Sequence, residues 1–182
     1  MKEKNNKTVM FSVLAIVTLV PILWLALVPI LWLALPLSPV QAGGDPIVVI
    51  VNVANPVDNL SLGELKKLFL SDRSRWDTGK AVAPVIFAPG TPERTAFLKQ
   101  VCGMNDSDFG KYFLQAAFTG KSATAPKEVS SPAGLKNFVA NSPGAIGFVK
   151  AGDFHGDGSD GGVKAVKIDG TAAGDASYKL RM

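Results

Sequence analysis

From Thr8 to Leu37 the chain runs without a single charged side chain. An uncharged apolar run of that length is the pattern of a leader or a membrane segment, so these residues are read apart from the domain that follows. Three Lys and one Glu precede the run within Met1 to Lys7, and Val40-Gln41-Ala42 followed by Gly43-Gly44-Asp45 closes it. A basic start, an apolar middle and a small-residue cleavage signal follow the order of a secretory signal peptide. An apolar region of that kind is normally about 7 to 15 residues and a spanning helix needs about 20. The excess has a visible source, because Val20 to Leu27 (VPILWLAL) recurs unchanged as Val28 to Leu35. Removing one copy leaves about 22 residues, which fits a tandem duplication in a region where only bulk hydrophobicity matters. Pro21, Pro29 and Pro36 do not discriminate, since kinked helices are tolerated in lipid. The expectation is a leader over residues 1–42, cleaved after Ala42, and a domain over residues 43–182. The alternative is an N-terminal anchor through residues 8–37 that holds the domain outside the inner membrane. Either way the domain is exported to the periplasm or beyond, and touches a membrane only through an uncleaved leader.

With the leader set aside, 16 Lys+Arg and 14 Asp+Glu remain, a net of +2 against +4 for the whole chain. The hydrophobic fraction falls from 47% to about 42%, ordinary for a globular domain. Nucleic-acid binding would need a basic excess gathered on one face, and the Lys positions are scattered. The 140 residues can bury a core without staples. Cys102 has no partner for an intrachain disulfide, and His155 stands alone, which excludes Cys/His metal cages and catalysis by several histidines.

Ile47 to Val53 (IVVIVNV) is β-branched without alternation, the pattern of a strand buried on both faces, and Asn55-Pro56 ends it. Ser61 caps a helix that places Leu62, Leu65, Leu68 and Phe69 on one face. Val82 to Ala88 reads as a second strand, with Pro84 suggesting an edge or a bend. Thr91 as N-cap and Pro92 at the first helical position open a helix to about Cys102. Asp106 or Ser107 caps another, carrying Phe109, Tyr112, Phe113, Ala116 and Ala117, which ends near Thr119-Gly120. Ser131-Pro132 opens a fourth over Leu135, Phe138 and Val139. Ala145 to Val149 and Val163 to Ile168 are strands joined by a Gly/Asp-rich connection. Four helices interleaved with about four strands place the domain in the α/β class with a mixed sheet.

Several motifs carry less than they promise. Gly156 to Gly161 (GDGSDG) matches G-x-G-x-x-G, but that pattern works between a strand and a helix, and here a strand follows. Asp153, Asp157 and Asp160 lack the spacing and terminal Glu of a calcium loop. His155 reads as a solvated side chain, Cys102 as a small buried thiol and Trp76 as a plug on the lobe surface rather than a ligand contact. No nucleophile and base pair is visible, so an enzyme is not expected, nor is a cofactor or a metal. The most suggestive feature is the set of helix starts opened by hydroxyl residues: Ser61, Thr91 with Arg94 one turn later, and Ser130-Ser131. Free N–H groups and the helix dipole make such termini anion sites, although ordinary capping explains each equally well.

Ser61 to Leu70 (SLGELKKLFL), Arg75 to Gly79 (RWDTG) and Gly144 to Val149 (GAIGFV), in that order, resemble the substrate-binding proteins of phosphate ABC transporters. The resemblance covers about residues 47–150 and implies a type 2 periplasmic-binding-protein-like lobe, its mixed β-sheet flanked by helices. It further implies a solute-binding component of an ABC transporter, with a small oxyanion, phosphate first, as ligand and a permease as partner. Carried onto this chain, the contacts are Thr91 and Arg94, with Ser61 and Ser131 as secondary donors where their helix ends face the same cleft. The chain departs from the family pattern at its anion loop, where Pro92 removes a backbone N–H and Glu93 brings a carboxylate to where the anion would sit. Repulsion there outweighs one hydroxyl hydrogen bond. Family members also close two lobes on the ligand, and 140 residues supply little more than one. The runner-up is therefore a ligand-free interaction or sensory module of the cell envelope that keeps only the fold.

Overall fold

The computed structural model describes residues 44–121, 123–156 and 160–182. The leader and its cleavage signal through Ala42, and the centre of the GDGSDG segment at 157–159, lie outside the described residues.

The apolar run expected to form a doubly buried strand does so: β1 (Ile47–Asn52) is buried at every position. β5 (Ala145–Lys150) pairs with it antiparallel from Ile47 opposite Lys150 to Val51 opposite Ile146, and β6 (Val163–Ile168) pairs antiparallel on its other side. β2 (Asn59–Leu60) lies parallel to β6, while β3 (Ala83–Phe87) lies parallel to both β5 and β4 (Lys127–Val129). The strand order is β2-β6-β1-β5-β3-β4. Every strand but β1 therefore points the same way, and their carboxyl ends share one edge of a mixed sheet.

The two short strands, β2 and β4, are additions to the four expected from sequence. β4 also corrects the reading of Pro84, because it covers β3 and makes it an interior strand. Pro84 is opposite Ile146 of β5, and β4 pairs only from Val85 onward, so the missing N–H falls before the β4 ladder begins.

Helices cover both faces. On one side, α1 (Leu62–Phe69) and α2 (Pro92–Phe97) send Phe69 and Phe97 against Phe148 of β5, the rings of Phe97 and Phe148 stacking at 3.8 Å. Such a pair adds about 0.5–1.5 kcal/mol beyond its area burial. α3 (Asp106–Phe118) packs beside them, its Tyr112 hydroxyl donating to the Leu70 carbonyl. On the other side, α4 (Pro132–Asn141) presses Leu135 onto Gly147, the neighbour of Phe148 and so on the opposite face. Asn52, at the end of β1, donates its amide to the carbonyls of Val139 and Ala140 and so closes the last turn of α4.

Two further sequence readings shift by local chemistry. The helix after Thr91 widens into a π-helical turn over Leu98–Cys102 and stops at Gly103, whose φ of 70° is left-handed. The cap of α3 is Asn105, which accepts from the Asp108 amide, rather than Asp106 or Ser107.

Candidate functional site at the carboxyl edge of the sheet

Adjacent parallel strands that leave a sheet toward opposite faces open a crevice beyond their carboxyl ends, and ligands of open α/β sheets bind there. β3 and β4 are such a pair. β3 leads into α2 on the Phe148 face, and β4 leads into α4 on the Gly147 face. The crevice is bordered by Ala88 to Thr91 on one side and Ser130-Ser131 on the other. The Ala88 amide donates to the Val129 carbonyl at 2.8 Å, holding the two strand ends together.

Thr91 and Ser131 thus follow neighbouring strands, about 5 Å apart by sheet spacing. Ser131 accepts from the Gly134 amide at 3.1 Å as the cap of α4. Its own hydrogen donates to no acceptor among the described residues. Thr91 occupies the cap position of α2 without making the cap bond, since its hydroxyl donates instead to the Ala88 carbonyl at 3.1 Å.

Arg94 lies in α2, and it is not the open cation that its sequence position suggests. Its side chain is 4% exposed. Nε donates to Asp106, at the start of α3, and Nη1 donates to Glu128 of β4 at 2.7 Å and to the Phe87 carbonyl at 2.8 Å. The guanidinium also lies 5.6 Å from the centre of the Phe109 ring. The second oxygen of Asp106 accepts from the Gly90 amide at 3.4 Å.

Ser61 stands elsewhere. It follows β2, four strand intervals or about 19 Å from β3, far beyond the reach of one oxyanion. Its hydroxyl and amide form a capping box with Glu64, and Asp169 accepts from the next amide, so the start of α1 already faces carboxylates. The Ser61 hydrogen bonds hold the Glu64 carboxyl below its ordinary range, ahead of the opposing effect of burial.

Lys150 was not singled out from sequence. As the last residue of β5 it reaches the same edge, 3.9 Å from Glu93 and 3.9 Å from Asp153. The signal for it was the Lys that ends AIGFVK. The Glu93 carboxylate accordingly turns toward Lys150 and is 13% exposed. Around the crevice, Arg94 and Lys150 face Glu93, Asp106, Glu128 and Asp153, an excess of negative charge.

A pocket of 390 Å3 lies at the opposite end of the same strands, lined by Ser71, Arg73, Ala83, Lys127 and Phe138 among others. Three of its polar side chains are engaged with their neighbours. The Ser71 hydroxyl donates to the Thr124 carbonyl, Arg73 pairs with Asp77 at 2.5 Å, and Lys127 lies over the Phe138 ring. Among the described residues no cluster of His, Cys, Asp and Glu could hold a metal ion, and no helix is long and apolar enough to cross a membrane.

The architecture matches solved structures closely enough to place it. The chain has a periplasmic-binding-protein-like fold. A Clostridium perfringens protein assigned as a phosphate ABC transporter substrate-binding protein, solved with bound phosphate, superposes with a TM-score of 0.60 at 23% identity, over 76% of this chain and 53% of its own. An ABC-type phosphate transport receptor from Vibrio cholerae gives 0.56 at 19% identity, over 72% and 49%. PstS from Borrelia burgdorferi gives 0.55 at 12% identity, over 71% and 49%. The chain spans about half the length of these periplasmic-binding-protein structures. No protein-family model matches the sequence, and no curated protein matches it.

Proposed function

We propose that this chain is an exported, non-enzymatic solute-binding domain whose ligand sits beyond the carboxyl ends of β3 and β4. The observation that carries the reading is the divergence of α2 and α4 from those adjacent strands, which makes the crevice, in a fold whose solved neighbours include phosphate receptors. A small oxyanion is the ligand class, phosphate first. Ser131 supplies a hydroxyl donor, Thr91 opens the helix after the neighbouring strand, and Arg94 brings a cation that Asp106 and Glu128 already hold. Ser61 takes no part. An ABC permease is the partner this reading requires, with the periplasm or cell exterior as the location. Intact mass of the exported protein decides the leader, since a species beginning at Met1 would make it an anchor.

The second reading, an envelope interaction module without a small ligand, is favoured by one observation. Arg94 already holds two carboxylates. Calorimetry with phosphate and with sulfate at low salt separates the readings. Saturable heat with a matching rise in melting temperature supports the solute-binding domain. No heat and no thermal shift at millimolar anion leaves the interaction module.

A further inference from the structure

We infer that Asp106 is the residue that sets anion affinity in the β3/β4 crevice, by occupying with its own carboxylate the position an oxyanion ligand would take. The inference rests on the solute-binding reading above. An oxyanion bound at this edge needs a cation on one oxygen and a loop N–H on another. Asp106 meets both requirements from within: one carboxylate oxygen accepts from Arg94 Nε and the other accepts from the Gly90 amide. Glu128 differs, because it touches only Nη1 of the same guanidinium, stands on the edge strand and is half exposed. Both neutralise the guanidinium, but of the two only Asp106 also accepts from a loop amide, that of Gly90. A free anion must therefore displace a tethered one, whose effective concentration is that of an intramolecular group. In a partly desolvated site it must also approach within a few ångström of the displaced carboxylate.

Three variants separate occupancy from plain charge. Asp106→Asn keeps the shape and removes the charge, Asp106→Ala vacates the position, and Glu128→Gln removes an equal charge without vacating it. Phosphate and sulfate are titrated calorimetrically into each variant and the parent at low salt, after circular dichroism and a cooperative thermal melt establish that each is folded. The expected result is at least tenfold tighter anion binding in both Asp106 variants than in the parent, with Glu128→Gln gaining clearly less. Anion affinity is a readout that a merely structural role of the Arg94–Asp106 pair would not raise. Equal gains from Asp106→Asn, Asp106→Ala and Glu128→Gln would overturn occupancy in favour of bulk charge. Parent and Asp106 variants that bind with the same affinity would overturn the inference while leaving the solute-binding reading in place. Folded parent and variants that all fail to bind either anion would overturn both, which distinguishes the failure of the reading from that of the inference alone.

Discussion

Arg94 joins four elements through one guanidinium: the end of β3 by the Phe87 carbonyl, β4 by Glu128, α3 by Asp106, and α2 by its own backbone. Arg94→Ala strands a buried carbonyl and leaves two carboxylates facing each other. Removing one partner of a fully buried ion pair costs about 3–5 kcal/mol. The carboxylates here are partly hydrated, so the expected loss is about 2–3 kcal/mol in urea unfolding, and an unchanged midpoint would show that water replaces the guanidinium without cost. Asp160 gives a second prediction at this scale. Burial alone would raise its pKa, but the Lys136 ammonium at 2.6 Å and the His155 amide at 2.7 Å prevail and hold it at about 2. Because the folded value is depressed, the stabilisation is whole above the ordinary carboxyl value of 3.8 and is lost as pH falls through about 2. Between pH 5 and pH 2 the parent should therefore lose stability more steeply than Asp160→Asn, and superimposable slopes would deny the linkage.

Elements are held apart or together here by single atoms. A Cβ on Gly147 would lie 2.7 Å from Leu135 Cδ2 and 2.8 Å from Val85 Cγ1, so Gly147→Ala forces the side chains that α4 and β3 pack against β5 to shift. Overpacking of this kind costs about 1–3 kcal/mol, and the expected signature is a lower melting temperature with unchanged helix content. Ser61→Ala, by contrast, removes one capping box at the start of α1 and should cost about 1 kcal/mol. The same contrast explains what could be read from sequence. β1, β5 and the starts of α1 and α4 were legible because local chemistry decides them: a β-branched run, a Ser cap, a Pro in the first turn. β2 and β4 were not, because Asn59-Leu60 and Lys127-Glu128-Val129 carry no apolar pattern and become strands only through the ladders offered by β6 and β3. The site followed the same division. Thr91 and Ser131 were found as helix openers, but the pairing of Arg94 with Asp106 and Glu128, 12 and 34 residues away, is a product of tertiary packing, which no spacing rule anticipates.

At the scale of the whole molecule, the last residues close the fold over its central strand. Ile47 donates its amide to the Leu180 carbonyl, the Met182 amide donates to Asp45, and the Tyr178 hydroxyl donates to the Ile47 carbonyl at 2.7 Å. Leu180 and Tyr178 are buried, and burial pushes the Tyr178 phenol well above its ordinary pKa. The chain's one Cys supplies a reporter for whether this clasp and the helical layers open as a unit. Cys102 is 2% exposed, and burial pushes its thiol up to about 11, so the reactive thiolate is scarce until the structure opens. When reclosing outpaces modification, labelling tracks the open population and hence stability. Tyr178→Phe leaves the Ile47 carbonyl without its hydroxyl partner, a loss of about 1–2 kcal/mol. If the clasp belongs to the same cooperative unit as the π-helical turn that carries Cys102, labelling at neutral pH should quicken about 5- to 30-fold, in step with the loss measured by urea unfolding. A faster-fraying tail with unchanged Cys102 labelling would instead make the clasp a separate, weaker unit, and the fold would then be complete at β6 without it.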